Sequence, residues 1–156
     1  MNILLIVGLI LSPMLYTQSF ENYASSIIAG ESVPGCIECH RLIACTILND
    51  AQKRIDRGVS PYTLHPGRWH GFNRNFSEEH VEALQWALDT RCAGMPVCKY
   101  LGNMSDYKYW LRNGGINNIQ AVIVGNRTAA VVCVPWTPPK PYVETHAHRY
   151  NVDTDY

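Results

Sequence analysis

The residues from Ser26 to Asn49 carry the chain's best-placed chemistry. An apolar run, Ser26-Ile-Ile-Ala-Gly30, ends in a lone acid, Glu31, and Ser32-Val-Pro-Gly35 then turns the chain. A second helical pattern begins near Ile37 and runs into Ile47-Leu48-Asn49. A carboxyl group at the C-terminal end of an apolar helix meets the negative end of the helix dipole and desolvating neighbours. Such surroundings favour an acid that keeps its proton. Protonating the weakly basic bridging oxygen of a glycosidic bond near neutral pH needs an acid of that kind. Glu31 is therefore the candidate general acid, with Ile27 and Ile28 as its apolar wall. Ordinary glycosidases add a second carboxylate, whose distance from the first decides the stereochemical outcome. Glu38, Asp50 and Asp106 are the available acids, and none has a spacing that compels the role. Glu38 serves equally well as a first-turn acid that complements the dipole of the second helix.

The same residues resemble a family. Cell-wall hydrolases of the spore-cortex-lytic type carry a catalytic Glu after an apolar helix, then a Gly-containing turn and a helix with an Ile-Leu-Asn-Arg signature. Glu31 matches the catalytic position, Glu38 a second acidic position, and Ile47-Leu48-Asn49 the signature. Val124-Gly125-Asn126, inside two β-type runs, looks like the family's final Ile-Gly-Asn hairpin. The resemblance covers Tyr23 to Cys133. Asp50 stands where the family has Arg, and Ser32-Val33-Pro34 replaces its Ala-Arg-Gly. The resemblance implies a lysozyme-like fold, peptidoglycan as the partner and no cofactor or metal. It also implies a lytic transglycosylase route. One Glu acts first as acid and then as base, and the sugar's own C6 hydroxyl closes a 1,6-anhydro product. That route needs no second acid.

Four further residues are candidates for substrate binding. Asn49 sits on the helix behind Glu31, where it either touches substrate or satisfies buried backbone groups. Trp69 lies in an aromatic, His- and Gly-rich loop that lines a saccharide groove or packs on itself as a lid. Tyr107, Tyr109 and Trp110 are too close in sequence to share one helix face, so one of them points toward a cleft; Tyr107 is taken as that residue. Asn126 follows from its place in the hairpin signature.

The elements that must position these groups are legible from periodicity. A short helix is expected over Glu21–Gly30, with Gly30 as its terminator. The strongest helix is Ile37–Arg57. Its apolar stripe is Leu42, Cys45, Leu48, Gln52 and Ile55, widened by Ala44, Ile47 and Ala51. Ser77 is an N-cap, with Glu78 and Glu79 in the first turn of a helix reaching Arg91. A short helix starts at Ser105 or Asp106. Ile119–Val124 and Ala129–Val134 are β-branched runs around Gly125-Asn-Arg-Thr128, a hairpin signal. The class is α+β, mainly helical with one C-terminal β-hairpin.

Residues 1–19 carry no charge, and Ile3–Leu11 is almost unbroken apolar chain. This reads as a secretory segment or N-terminal anchor, shorter than the roughly 20 apolar residues of a spanning helix. Residues 20–136 form one lysozyme-like domain, and 137–156 a Pro-rich, polar tail. Lys plus Arg and Asp plus Glu are 13 each, which excludes a nucleic-acid footprint built on net positive charge. The six cysteines fit disulfides in an exported domain. Gly94 and Pro96 favour a Cys92–Cys98 pair, and a zinc site on Cys36, Cys39 and His40 is the competing reading. The sequence thus points to an exported or envelope-facing peptidoglycan-cleaving enzyme. The alternative is a non-catalytic, disulfide-stabilised binding or structural module on the same fold.

Overall fold

The computed structural model of the chain describes residues 17–61, 71, 73–126 and 129–136. The apolar N-terminal run, Trp69 and the Pro-rich tail lie outside the described residues. The chain divides into two compact units between Ala93 and Gly94, where the sequence reading has one domain.

The first unit is three helices, α1 (Gln18–Glu31), α2 (Ile37–Asp56) and α3 (Glu78–Thr90). The hydroxyl of Thr17 caps α1 by accepting from the Phe20 amide at 3.2 Å. Phe20, Ala24, Ile27 and Ile28 recur at helical spacing and are fully buried. The helix does not stop at Gly30 as the sequence suggests. It continues through Glu31, and Ser32 closes it by donating its amide to the Ile28 carbonyl at 2.9 Å. The left-handed glycine of this turn is Gly35, with φ at 76°.

Helix α2 is more deeply buried than its stripe implies. Every residue from Leu42 to Leu48 is buried, so the middle of the helix has no solvent face. Thr46 satisfies its buried hydroxyl on the Leu42 carbonyl at 3.0 Å. Ala83, Leu84 and Ala87 of α3 complete this core. Just past α3, Arg91 and Cys92 both take left-handed backbone conformations, with φ of 55° and 58°. Two consecutive non-glycine residues there are unusual, and a disulfide from Cys92 holds the turn.

The second unit is β1 (Cys98–Gly102), α4 (Met104–Arg112), a short 3-10 turn (Asn118–Gln120), β2 (Val122–Gly125) and β3 (Ala130–Pro135). The three strands form an antiparallel sheet in the order β1-β3-β2. β3 is central and buried along its whole length, as a strand paired on both edges and covered by a helix should be. Tyr107, Ala121, Ile123, Val132 and Val134 form its core, with Met104, Trp110 and Leu111 packed against them. The expected hairpin is present, but β2 begins at Val122, because Asn117 and Gln120 close a 3-10 turn just before it. Strand β1 was not foreseen. Its Lys-Tyr-Leu sequence is short, and it pairs only through distant β3. The mixed helical and antiparallel content is of the α+β class.

Three disulfides join Cys36 to Cys39, Cys45 to Cys92 and Cys98 to Cys133. The expected Cys92–Cys98 pair does not form. Cys98 opens β1 and bonds diagonally across the sheet to Cys133 of β3, while Cys92 leaves α3 beside Cys45 of α2. Zinc on Cys36 and Cys39 is likewise displaced, because the two sulfurs are bonded to each other. The disulfides match an oxidising compartment. Among the described residues no helix is long and apolar enough to cross a membrane.

Loop-closure entropy ranks the first unit's two disulfides. Removing the Cys45–Cys92 link, which spans 47 residues, is expected to lower stability by about 4 kcal/mol. Removing Cys36–Cys39, separated by 3, is expected to lower it by about 2 kcal/mol. Urea unfolding of the C45A/C92A and C36A/C39A double variants checks the order; equal losses would contradict it.

Candidate functional site

Tyr23, Ile27 and Glu31 follow one another at i, i+4 spacing and so share a face of α1. Ile27 is fully buried, and burial pushes the half-buried Tyr23 phenol up to about 12. Glu31 is half-buried at the helix end, and no basic residue stands in that last turn to offset its charge against the dipole. A backbone donor does so instead. The Gly71 amide donates to Glu31 Oε2. The Asn73 amide donates to the Ser26 carbonyl at 2.9 Å, so this returning segment is pinned to α1 twice. A side chain at residue 71 would collide with the Gly30 carbonyl, which is why glycine stands there.

A second cluster begins at the next residue. Ser32 Oγ lies 2.6 Å from His40 Nδ1, and His40 Nε2 lies 2.6 Å from Glu79 Oε1. His40 is fully buried, Ser32 is half-buried, and the Glu79 side chain is 37 % exposed. The Gly35 amide also donates to Glu79 Oε1, at 3.3 Å. Three elements meet here: the α1–α2 turn, the second turn of α2 and the first turn of α3. The hydrogen bond from His40 is the largest of the effects holding the Glu79 carboxyl below its ordinary value of 4.5. An ionised carboxylate only accepts, so His40 Nε2 carries a proton. In the neutral imidazole, Nδ1 is then the acceptor for the Ser32 hydroxyl.

His80 packs on His40, with ring centroids 4.7 Å apart. Burial is the main cause holding its pKa below 6.5, with a smaller contribution from His40. His40, Glu79 and His80 bring ligand atoms within 4.8 Å of one another, a spacing a metal ion could use. The hydrogen bonds argue otherwise. The Ser77 amide donates to His80 Nδ1 at 3.0 Å, which leaves the proton of the neutral ring on Nε2. His80 then offers no lone pair toward a cation. It is the N3 residue of a capping box that holds the start of α3.

The other sequence candidates fall as follows. Glu38 lies in the first turn of α2, with Oε1 4.0 Å from Arg41 and Oε2 buried without a partner among the described residues. Arg41 stacks over Trp86, 4.5 Å from the ring centroid, and does not pair with Glu31. Asn49 is half-buried on α2, and its Nδ2 has no partner among the described residues. Asp50 stands on α2 near Tyr23, whose phenol feels its charge. Asp106 caps α4 by accepting from the Asn103 amide at 2.9 Å. Tyr107 is not a cleft residue. It is 1 % exposed in the second unit's core, and its hydroxyl donates to the Asn118 carbonyl at 3.3 Å. Asn126 holds the β2–β3 turn, exchanging hydrogen bonds with Ala129 at 2.8 and 2.9 Å.

Sequence reasoning passed over Ser32, His40 and Glu79 as a group. One signal was present: His40 falls in line with Ile43, Ala44 and Ile47 on the buried side of α2, where a titratable residue needs partners. The pairing with Glu79, 39 residues away, has no local signature.

Both Glu79 and His80 release protons more readily in the folded state than in the unfolded chain. Their contribution to stability is therefore present above the unfolded values and is lost as pH falls, for His80 below 6.5 and for Glu79 below 4.5. Stability to urea should decline from neutral pH toward about pH 4, and Glu79→Gln should flatten the acid end of that curve. An unchanged slope in the variant would refute the assignment. Gly71→Ala should destabilise by about 1–3 kcal/mol in the same assay, from the collision with Gly30.

Comparison with known proteins returned no match: no family model, no curated protein and no solved structure is significantly similar to the chain.

Proposed function

We propose that this chain is an exported enzyme that cleaves the glycan strand of peptidoglycan on a lysozyme-like fold, with Glu31 as general acid and base. The observation that carries the reading is the setting of Glu31. It ends a buried apolar helix, remains partly open to solvent, and has one carboxyl oxygen oriented by the Gly71 amide. A fixed, half-desolvated carboxyl group is what proton delivery to a glycosidic oxygen requires. Of the other candidate acids, Glu38 lies by Arg41, Asp106 is spent as a helix cap, and Asp50 stands beside Tyr23 on the neighbouring helix. The resemblance favours the transglycosylase route, in which one Glu does both proton transfers and the C6 hydroxyl replaces water. The disulfides support action outside the reducing cytoplasm.

One observation favours the rival reading of a non-catalytic binding or structural module. The Gly71 amide also ties the Glu31 side chain to the backbone, as it would tie a purely structural carboxylate.

Mass spectrometry of peptidoglycan digested with wild type and Glu31→Gln separates the two. Wild type is expected to release anhydro-muropeptides, and the variant to lose on the order of 10²–10⁴-fold in rate. Reducing-end products would mean hydrolysis and a second carboxylate. No product from a folded, fully oxidised wild type would sink the enzyme reading.

A further inference from the structure

We propose that Ser32, His40 and Glu79 form a nucleophile, base and orienting acid, and that Ser32 accepts the acyl group of short-chain carboxylic esters. The two contacts that define such a set are both 2.6 Å. Glu79 holds the proton on His40 Nε2, which turns the basic nitrogen of the neutral ring, Nδ1, onto the Ser32 hydroxyl. The ring nitrogens thus exchange the roles they have in the serine-protease template, where the hydroxyl meets Nε2. Imidazole is basic at either nitrogen, so the chemistry survives the exchange.

The surroundings suit the step. His40 has no solvent exposure of its own, and Nδ1 faces the half-buried Ser32 hydroxyl, the side from which substrate and water reach it. Ser32 is half-buried, and solvent reaches the set through it and through Glu79. The amide of Val33, the residue after the nucleophile, donates to no group among the described residues. In hydrolases with a nucleophile elbow, that amide is one of the donors to the developing oxyanion. His80 packs against the His40 ring, with centroids 4.7 Å apart and the planes tilted by 60°.

The reaction balances with water alone. Ser32 Oγ attacks the carbonyl carbon while its proton passes to His40 Nδ1, and the carbonyl π electrons move onto oxygen. The tetrahedral intermediate collapses, the carbon–oxygen bond to the alcohol breaks, and the alcohol leaves with the proton from His40. Water then attacks the acyl-Ser32 ester by the same sequence, releases the carboxylic acid and restores the hydroxyl. An ester suits this set better than an amide. A departing alcohol needs its proton less urgently than an amine, and His40 is buried behind Ser32.

The test is covalent labelling of the purified, oxidised full chain with a fluorophosphonate probe, followed by peptide mass spectrometry. The adduct is expected on Ser32 and should vanish in Ser32→Ala. Its rate should fall by about 100-fold in Glu79→Gln and in His40→Gln, and should be unchanged in the neighbouring control Glu78→Gln. Release of p-nitrophenol from p-nitrophenyl acetate should follow the same order. If His40→Gln does not fold, Glu79→Gln and Ser32→Ala still decide the matter. No adduct on Ser32 of folded wild type, or ester turnover that survives Ser32→Ala, would overturn the proposal. Labelling needs no glycan, so it stands or falls separately from the action of Glu31.

Discussion

The first unit depends on burying one imidazole. His40 has no exposure to solvent, and a buried polar ring without partners would destabilise the fold by several kcal/mol. Both nitrogens are satisfied, by a serine in the α1–α2 turn and a glutamate in the first turn of α3. Those partners come from different elements, so satisfying the ring fixes where the elements lie. The turn cannot shift without stranding Nδ1, and α3 cannot slide along α2 without stranding Nε2. Hydrophobic contacts among alanines and leucines tolerate small displacements, whereas two 2.6 Å hydrogen bonds do not. The polar pair supplies register, and the apolar core supplies most of the free energy.

Two features hold the rest of the frame around this ring. The Cys36–Cys39 disulfide closes the first turn of α2, immediately before His40. The Cys45–Cys92 disulfide ties the middle of α2 to the residue past α3. Glu79 and His80 then divide the work at the start of α3. Glu79 reaches inward to His40 and to the Gly35 amide, while His80 turns back to cap the helix on the Ser77 amide. Glu31 and Ser32 are adjacent in the chain, yet the Gly71 amide donates to one and the His40 ring meets the other.

Much of this was legible in the sequence where local rules decide it. The bounds of α2 and α3, the Ser77 cap and the β2–β3 hairpin follow from periodicity, capping and β-branched runs. What escaped was set by distant partners. Gly30 has the look of a terminator, but helix propensity yields when the following turn has its own left-handed glycine in Gly35. β1 exists only because β3 offers an edge more than thirty residues later, and cysteine spacing cannot see that pairing. The candidate acid Glu31 was readable from its place after an apolar run. The Ser32–His40–Glu79 set was not, because its members look ordinary until folding joins them.

The second unit shows how packing assigns aromatic residues that sequence leaves equivalent. Tyr107, Tyr109 and Trp110 fall on α4 at successive turns of about 100° per residue. The face toward β3 must carry Met104, Tyr107 and Leu111, at i, i+3 and i+7. Tyr107 therefore goes in, Trp110 flanks the core, and Tyr109 points out with 57 % exposure. Trp136 is similarly open, and Lys99 sits between it and Tyr100, 5.2 and 5.4 Å from the two ring centroids. Trp110 packs on Tyr100 at 5.5 Å, which stiffens that ring against β1. The aromatic load of this unit is thus split between a hydroxyl-satisfied core residue and rings left at the surface. Among the described residues of this unit, Tyr109, Tyr100 and Trp136 are the rings left open to solvent, because the helical period has already committed Tyr107 to the core.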